Sequence, residues 1–264
     1  MPDIRRRVRL FIAAGLLTTL GTVFARDTRI MLMSEQYDAN GVPVPLEAKT
    51  NDFFAYLEKE TDTSLELQRY PWKRALDMAR QGQGFVYGAS KTPERLQNLI
   101  FSEPVYTDYA WLVVRCDARF PYHQTSDLKG KTIGIVRDTT YGEEFDAQKG
   151  QLFQVEDDLN NSRGRFLKLY LRRMDALLIY SQTSDAALLE QSINHLYGAA
   201  TEGMRNDQEK QPFCVLPRAV SGNTIYIAAA SGYDDRYLKK LNRAILKARA
   251  AGLLHKWFQS DAAH

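Results

Sequence analysis

Three observations place this chain in the α/β class. Short apolar runs of strand character alternate with segments of helical apolar spacing, the alternation runs through once and then restarts, and 264 residues can bury a large core. Strands separated by helices argue for largely parallel sheets, because the helix supplies the crossover a parallel pair needs. The length allows one or two domains.

Taken in order, TRIMLM reads as a strand and NDFFAYLEKET as a helix opened by Thr50 or Asn51. LELQRY is the next strand, and WKRALDMARQ is a helix with Ala75, Leu76, Met78 and Ala79 on one face. FVYG follows as a strand, then a short helix at PERLQNL and a long strand over residues 110–115. The second series consists of a turn and strand (DLKGKTIGIV), a helix (YGEEFDAQ), a strand (LFQVE), a helix (RGRFLKLYLRR), a strand (DALLIY) and a helix (SDAALLEQSIN). Beyond an irregular stretch at residues 203–211 come a strand at NTIYIAAAS and two helices, DRYLKKLNRAILKARA and GLLHKWFQ. Two such series with a returning tail suggest two lobes, and a cleft between lobes is the natural ligand site.

The N-terminus has the layout of a secretory signal peptide. Arg5, Arg6, Arg7 and Arg9 precede the apolar LFIAAGLLTTLGTVFA, which ends in small residues suited to cleavage after Ala25. The apolar stretch, interrupted by Gly15 and Gly21, is shorter than the roughly 20 residues that span a bilayer. The expectation is a periplasmic protein with no stable membrane insertion after cleavage. Residues 1–25 carry four arginines and one aspartate, so the remaining 239 residues hold 31 charges of each sign. With that balance, nothing electrostatic argues for a nucleic-acid partner. Cys116 and Cys214 lack metal or redox spacing, and in an exported chain they can form one bridge.

The stretch SKTPERLQNLIFSEPVY, residues 90–106, gathers hydroxyls and one arginine in a turn before an apolar strand, which suits an anion. Together with YPWKRALDMARQGQ, DLKGKTIGIVRDTTYGEEFD, RMDALLIY and a closing helix with Gly252 and Trp257, it resembles the bacterial extracellular solute-binding proteins of family 3, the type II periplasmic binding proteins. The resemblance implies two α/β lobes joined by two hinge strands, with a polar ligand, often an amino acid, enclosed between them. It puts the crossings near residues 106–112 and 215–224, a first lobe at 26–110 with 222–264, and a second lobe at 111–221. It further implies a monomer delivering a small-molecule ligand to the membrane permease of an ABC-type transporter, with no cofactor, and it brings Cys116 and Cys214 close together beside the crossings.

Carried over residue by residue, the family's carboxylate-binding arginine is Arg95, its serine Ser90, its second-lobe contact Thr140 and its aromatic platform Tyr70. Trp72 and Tyr37 are further candidates to face the cleft. A guanidinium fork matches a carboxylate, while the alternative for Arg95 is a salt bridge with Glu94 or Glu103. Thr92 before Pro93 is equally a helix cap, and so is Thr140. Two departures stand out. Tyr180 occupies the place of the aspartate that meets a ligand's ammonium, and Asp138 that of a turn glycine; Asp185 and Glu35 could supply the missing charge or simply cap and solvate.

Enzyme signatures fail in context. Gly82, Gly84 and Gly88 miss the dinucleotide spacing, Ser126 to Lys129 matches S-x-x-K without its companion motifs, and His123, His195, His255 and His264 have no metal spacing. The reading is therefore a binding protein with no catalytic or metal residues. The alternatives are a dehydratase-like enzyme on the same fold, which a cleft carboxylate of shifted pKa would favour, or a ligand sensor acting through a membrane partner.

Overall fold

The computed structural model describes residues 27–38, 40–158, 162–201 and 211–258; the export segment and its cut after Ala25 lie outside the described residues. The first series comprises β1 (Asp27–Ser34), α1 (Ala48–Thr61), β2 (Thr63–Tyr70), α2 (Trp72–Arg80), β3 (Phe85–Ala89), α3 (Pro93–Leu96), β4 (Leu99–Phe101) and β5 (Tyr106–Arg115). The second comprises β6 (Thr132–Val136), α4 (Glu143–Gln148), β7 (Gln154–Asp158), α5 (Ser162–Tyr170), β8 (Ala176–Ser181), α6 (Ala186–Tyr197) and β9 (Phe213–Val215). The chain then returns through β10 (Ser221–Ala230), α7 (Asp235–Ala250) and α8 (Leu253–Phe258).

The strands run in the order β2-β1-β3-β10-β5-β8-β6-β7, with β4 on β10 and β9 on β5. Pairing is parallel within each series, β1 with β2 and β3, and β6 with β7 and β8. The two crossing strands differ: β5 and β10 are antiparallel to each other, β10 also to β3 and β4, and β5 also to β8 and β9. The largely parallel expectation thus holds inside each series and yields where the chain passes between them.

Each half of the sheet has a core on both faces. In the first, Phe53 and Leu57 of α1 pack with Leu241, Trp257 and Phe258 from the chain's last helices, while Trp72, Leu76 and Val86 build the opposite face. In the second, Leu112, Ile133, Tyr141 and Phe145 pack on one face, and Val113, Phe166, Leu177 and Phe213 on the other. A disulfide joins Cys116 to Cys214 with Cα atoms 4.9 Å apart, tying the end of β5 to β9, where Val114 pairs with Cys214.

Several boundaries differ from the sequence reading for physical reasons. α1 begins at Ala48, since the Glu47 carbonyl accepts the Thr50 and Asn51 amides, and Thr50 is buried within the helix. α5 stops at Tyr170, short of the expected Arg173; the turn that follows sets Arg172 at φ 59°, outside helical geometry. β5 starts at Tyr106 because Ile225 to Ser221 of β10 pair with Tyr106 to Ala110, a partner 115 positions or so along the chain that no local pattern announces.

Candidate functional site

The site is built where β3 gives way to α3. Gly88 leaves the strand at φ 103°, with Trp72 3.8 Å from where a Cβ would stand, so the backbone turns close over the indole. Thr92 caps α3, its hydroxyl oxygen accepting the Arg95 amide at 3.1 Å, and Pro93 fixes the first helical position. The cap reading of Thr92 is therefore the one realised. That turn carries Arg95 inward until only 4% of it is exposed. Its Nη1 donates to the Ser90 carbonyl at 3.0 Å and to Ser90 Oγ at 3.2 Å, and its guanidinium lies 5.6 Å from the Trp72 ring centre. Glu94 pairs with Arg80 at 2.8 Å and Glu103 faces Arg249 at 3.7 Å, so neither neutralises Arg95. Burial, and then the nearby Arg80 cation, lowers the Arg95 pKa, yet an arginine stays charged at any ordinary pH.

The second half meets this arginine through backbone. Asp138, at φ 57° in the turn after β6, offers its carbonyl to Arg95 Nη2 at 2.9 Å and to Trp72 Nε1 at 3.2 Å. Its carboxylate turns away to Lys73 at 3.1 Å. The Asp138 side chain therefore puts no negative charge on the arginine fork. Val136 packs against the core that holds Trp72, so apolar contact accompanies the polar one between the two halves.

Thr140 is used differently from a free anion donor. Its hydroxyl donates to Asp146, whose carboxylate also accepts the Tyr141 amide at 3.2 Å and pairs with Lys149 at 2.9 Å. The Thr140 carbonyl accepts the Tyr180 hydroxyl, and Asn223 on β10 donates its amide to that same hydroxyl oxygen and, at 3.3 Å, to Ser221 Oγ. The Tyr180 ring stacks on Tyr141 with centres 5.3 Å apart and planes 6° from parallel. Burial above all holds the Tyr180 phenol well above its usual pKa, so it is neutral.

The remaining candidates separate. Trp72, 8% exposed, reaches the Asp138 carbonyl and so joins the two halves beside Arg95. Tyr70 donates to Gln68 at 3.1 Å and carries the Arg74 guanidinium 4.4 Å above its ring. Tyr37 sits in the loop after β1, bridged to Pro43 and donating to Glu35 at 3.0 Å. Asp185 caps α6, its Oδ1 accepting the Ala187 and Leu188 amides.

One acid escaped the sequence reading. Asp108 sits on the crossing strand β5 directly opposite Asn223. Its Oδ1 is fully buried and has no hydrogen-bond partner among the described residues. Burial pushes the carboxyl up to about 7, with the like charge of Glu47 adding to it and the Tyr109 amide opposing. No group of three or more His, Cys, Asp or Glu able to hold a metal occurs among the described residues.

No protein-family model matches the chain. The ABC transporter arginine-binding protein 1 of Escherichia coli (strain K12) is 26% identical over 185 residues, 68% of this chain and 67% of that protein. The arginine-binding extracellular protein ArtP of Bacillus subtilis (strain 168) is 25% identical over 213 residues, 78% of this chain and 75% of that protein. An ancestral arginine-binding protein solved with arginine superposes with a TM-score of 0.67 at 19% identity, covering 89% of this chain and 97% of that one. The fold is that of the type II periplasmic binding proteins, and the similarity to extracellular solute-binding proteins extends over most of the chain.

Proposed function

We propose that this protein is an extracytoplasmic solute-binding protein that captures an amino acid by its carboxylate between two lobes, for an ABC-type transporter. The observation that carries the reading is Arg95. It is a buried cation without a carboxylate partner among the described residues, and one arm of its guanidinium lies with the Trp72 indole N–H on a single carbonyl oxygen of the opposite half. Two donors converging on one oxygen form a cradle that a ligand carboxylate oxygen can enter in place of Asp138. A ligand that touches both halves favours their closure only by the difference in its affinity for the closed and open forms. The relatives named for arginine make L-arginine the first compound to try.

Residues 26–110 with 222–264 would form one lobe and 111–221 the other, with β5 and β10 as hinge. The mature periplasmic chain would begin at Arg26, act as a monomer and dock on a membrane permease. N-terminal sequencing of material from the source periplasm checks the first of these, and a start at Met1 or Pro2 would replace it with an anchored protein. Asp108 is the kind of perturbed carboxylate that would favour an enzyme on the same fold, and turnover of the bound compound is what separates that alternative from binding. The deciding experiment is native purification, mass spectrometry of the released small molecule, and calorimetry against the twenty amino acids. Recovery of one amino acid that binds and returns unaltered supports the reading; turnover, or no binding by any of them, overturns it.

A further inference from the structure

Tyr180 leaves the cleft without the carboxylate that its position would supply to a cationic ligand group. The strand register shows where another one stands. Asp108 is paired with Asn223, and Ala110 with both Ser221 and Tyr180. Directly opposed residues of an antiparallel pair share a face, as do alternate residues of one strand. Asp108, Asn223, Ser221 and Tyr180 therefore line one polar surface across three strands. The hydrogen bonds agree, since the Asn223 amide reaches both the Tyr180 hydroxyl and Ser221 Oγ. From Tyr180 the chain of contacts passes to the Thr140 carbonyl, two residues beyond the Asp138 carbonyl that meets Arg95. Asp108 thus belongs to a polar surface that connects, through Tyr180 and Thr140, to the turn that meets the arginine.

No described residue donates a hydrogen bond to Asp108 Oδ1. The Tyr180 proton goes to Thr140, the Asn223 amide is divided between Tyr180 and Ser221, and the Arg95 fork is spent on Ser90 and Asp138. The groups that interact electrostatically with Asp108 are Tyr87 on β3, Tyr106 on its own strand, Tyr180 on β8 and Glu47 before α1, and none is basic. A buried carboxylate oxygen without a donor is a standing cost in a native fold, and such groups call for a functional partner.

We propose that Asp108 is the counter-charge for the ammonium group of the bound amino acid, taking the part that the neutral Tyr180 phenol cannot. The inference rests on the amino-acid-binding reading above, and it makes the floor of the hinge a determinant of ligand class. The ligand would lie with its carboxylate toward Arg95 and its cation toward β5. Compounds bearing only the carboxylate would gain the first contact and leave Asp108 unpaired.

The test is calorimetry on wild type and Asp108→Asn with L-arginine, L-glutamine and L-glutamate, each beside its desamino counterpart: 5-guanidinovalerate, glutaramate and glutarate. The expected result is a loss of about 30-fold or more in affinity for the amino compound that wild type binds, with its desamino partner nearly unchanged. Wild-type binding at pH 7 should also release a fraction of a proton, read from the dependence of binding enthalpy on buffer, because the ammonium favours the ionised carboxyl; Asp108→Asn should release none. Equal affinity of the two proteins for the amino compound overturns the inference while leaving the binding reading intact. If wild type binds only desamino acids, or none of the six and no other amino acid, the binding reading falls and takes the inference with it. Should Asp108→Asn fail to fold, wild-type affinity from pH 6 to 8 decides: a rise supports the assignment, and a flat profile with no proton release refutes it.

Discussion

Replacing Arg95 by lysine separates charge from geometry. The native guanidinium divides its work, Nη1 holding the Ser90 carbonyl and hydroxyl within one half while Nη2 reaches 2.9 Å to the Asp138 carbonyl of the other. An ammonium is a compact point charge, and it can replace the Ser90 contacts or the outward one but not both. Truncating one partner of a buried hydrogen-bonded charge pair costs about 2–5 kcal/mol, which is roughly 30-fold to several thousand-fold in affinity. With its charge retained, Arg95→Lys should fall near the lower limit and Arg95→Ala near the upper. The assay is calorimetry with the amino acid recovered from native protein, alongside circular dichroism to show that each variant is folded. Small-angle scattering with ligand present should show wild type compact and Arg95→Ala extended. If folded Arg95→Lys and Arg95→Ala both bind within threefold of wild type, Arg95 is a structural clamp and the carboxylate cradle does not exist.

Further expectations follow from other parts of the molecule. Asp108, with a folded pKa of about 7 against an ordinary value near 4, binds more protons when folded; its contribution is intact below about pH 4 and is lost as pH rises toward 7. Asp108→Asn should therefore stabilise the protein at pH 8 with no ligand added, by up to about 4 kcal/mol, and flatten the decline between pH 4 and 7 in urea titrations; a destabilised variant at pH 8 would contradict this. Removing the disulfide by paired Cys116→Ala and Cys214→Ala should cost about 4–5 kcal/mol in the chain-entropy account for residues 98 apart, seen as a lower urea midpoint, whereas an unchanged midpoint would mean the bridge constrains little. Asp138→Gly relieves a left-handed backbone at φ 57° and keeps the carbonyl that Arg95 and Trp72 share, so melting temperature should rise by the equivalent of about 1 kcal/mol with ligand affinity preserved; lost binding would show that the Lys73 contact matters to the cleft.

The sequence made local features legible and left pairings hidden. α2 could be read from the spacing of Ala75, Leu76 and Ala79, and the cap of α3 from Thr92 and Pro93, because each is settled within one turn of chain. Arg95 was singled out through the motif resemblance, while its burial and its bond to the Asp138 carbonyl belong to the folded chain. Thr140 was found as a position, but its hydroxyl belongs to Asp146 six residues ahead, a preference that only the folded turn decides. Asn223 and Asp108 could not be found, since their meaning lies in being opposite one another on strands far apart in sequence. β4 and β9, at three residues each, are too short for any periodicity and exist because β10 and β5 offer them an edge.

The place of β10 in the sheet bears on how the chain folds. It is the last strand in sequence, yet it lies between β3 and β5, in the middle of the strand order. Until it arrives, β3 has an open edge and β5 is paired on that side only by the three residues of β9, so everything from β1 to β4 can collapse around α1 and α2 without becoming a finished unit. The closing contacts span more than a hundred residues, which predicts slow, topology-limited folding rather than rapid local assembly. During that interval the exposed edge of β3, buried in the finished fold, is the segment most open to pairing with another chain. A chain that must stay unfinished until its final quarter has been made is slow to commit to structure, and that delay is written into the strand order itself.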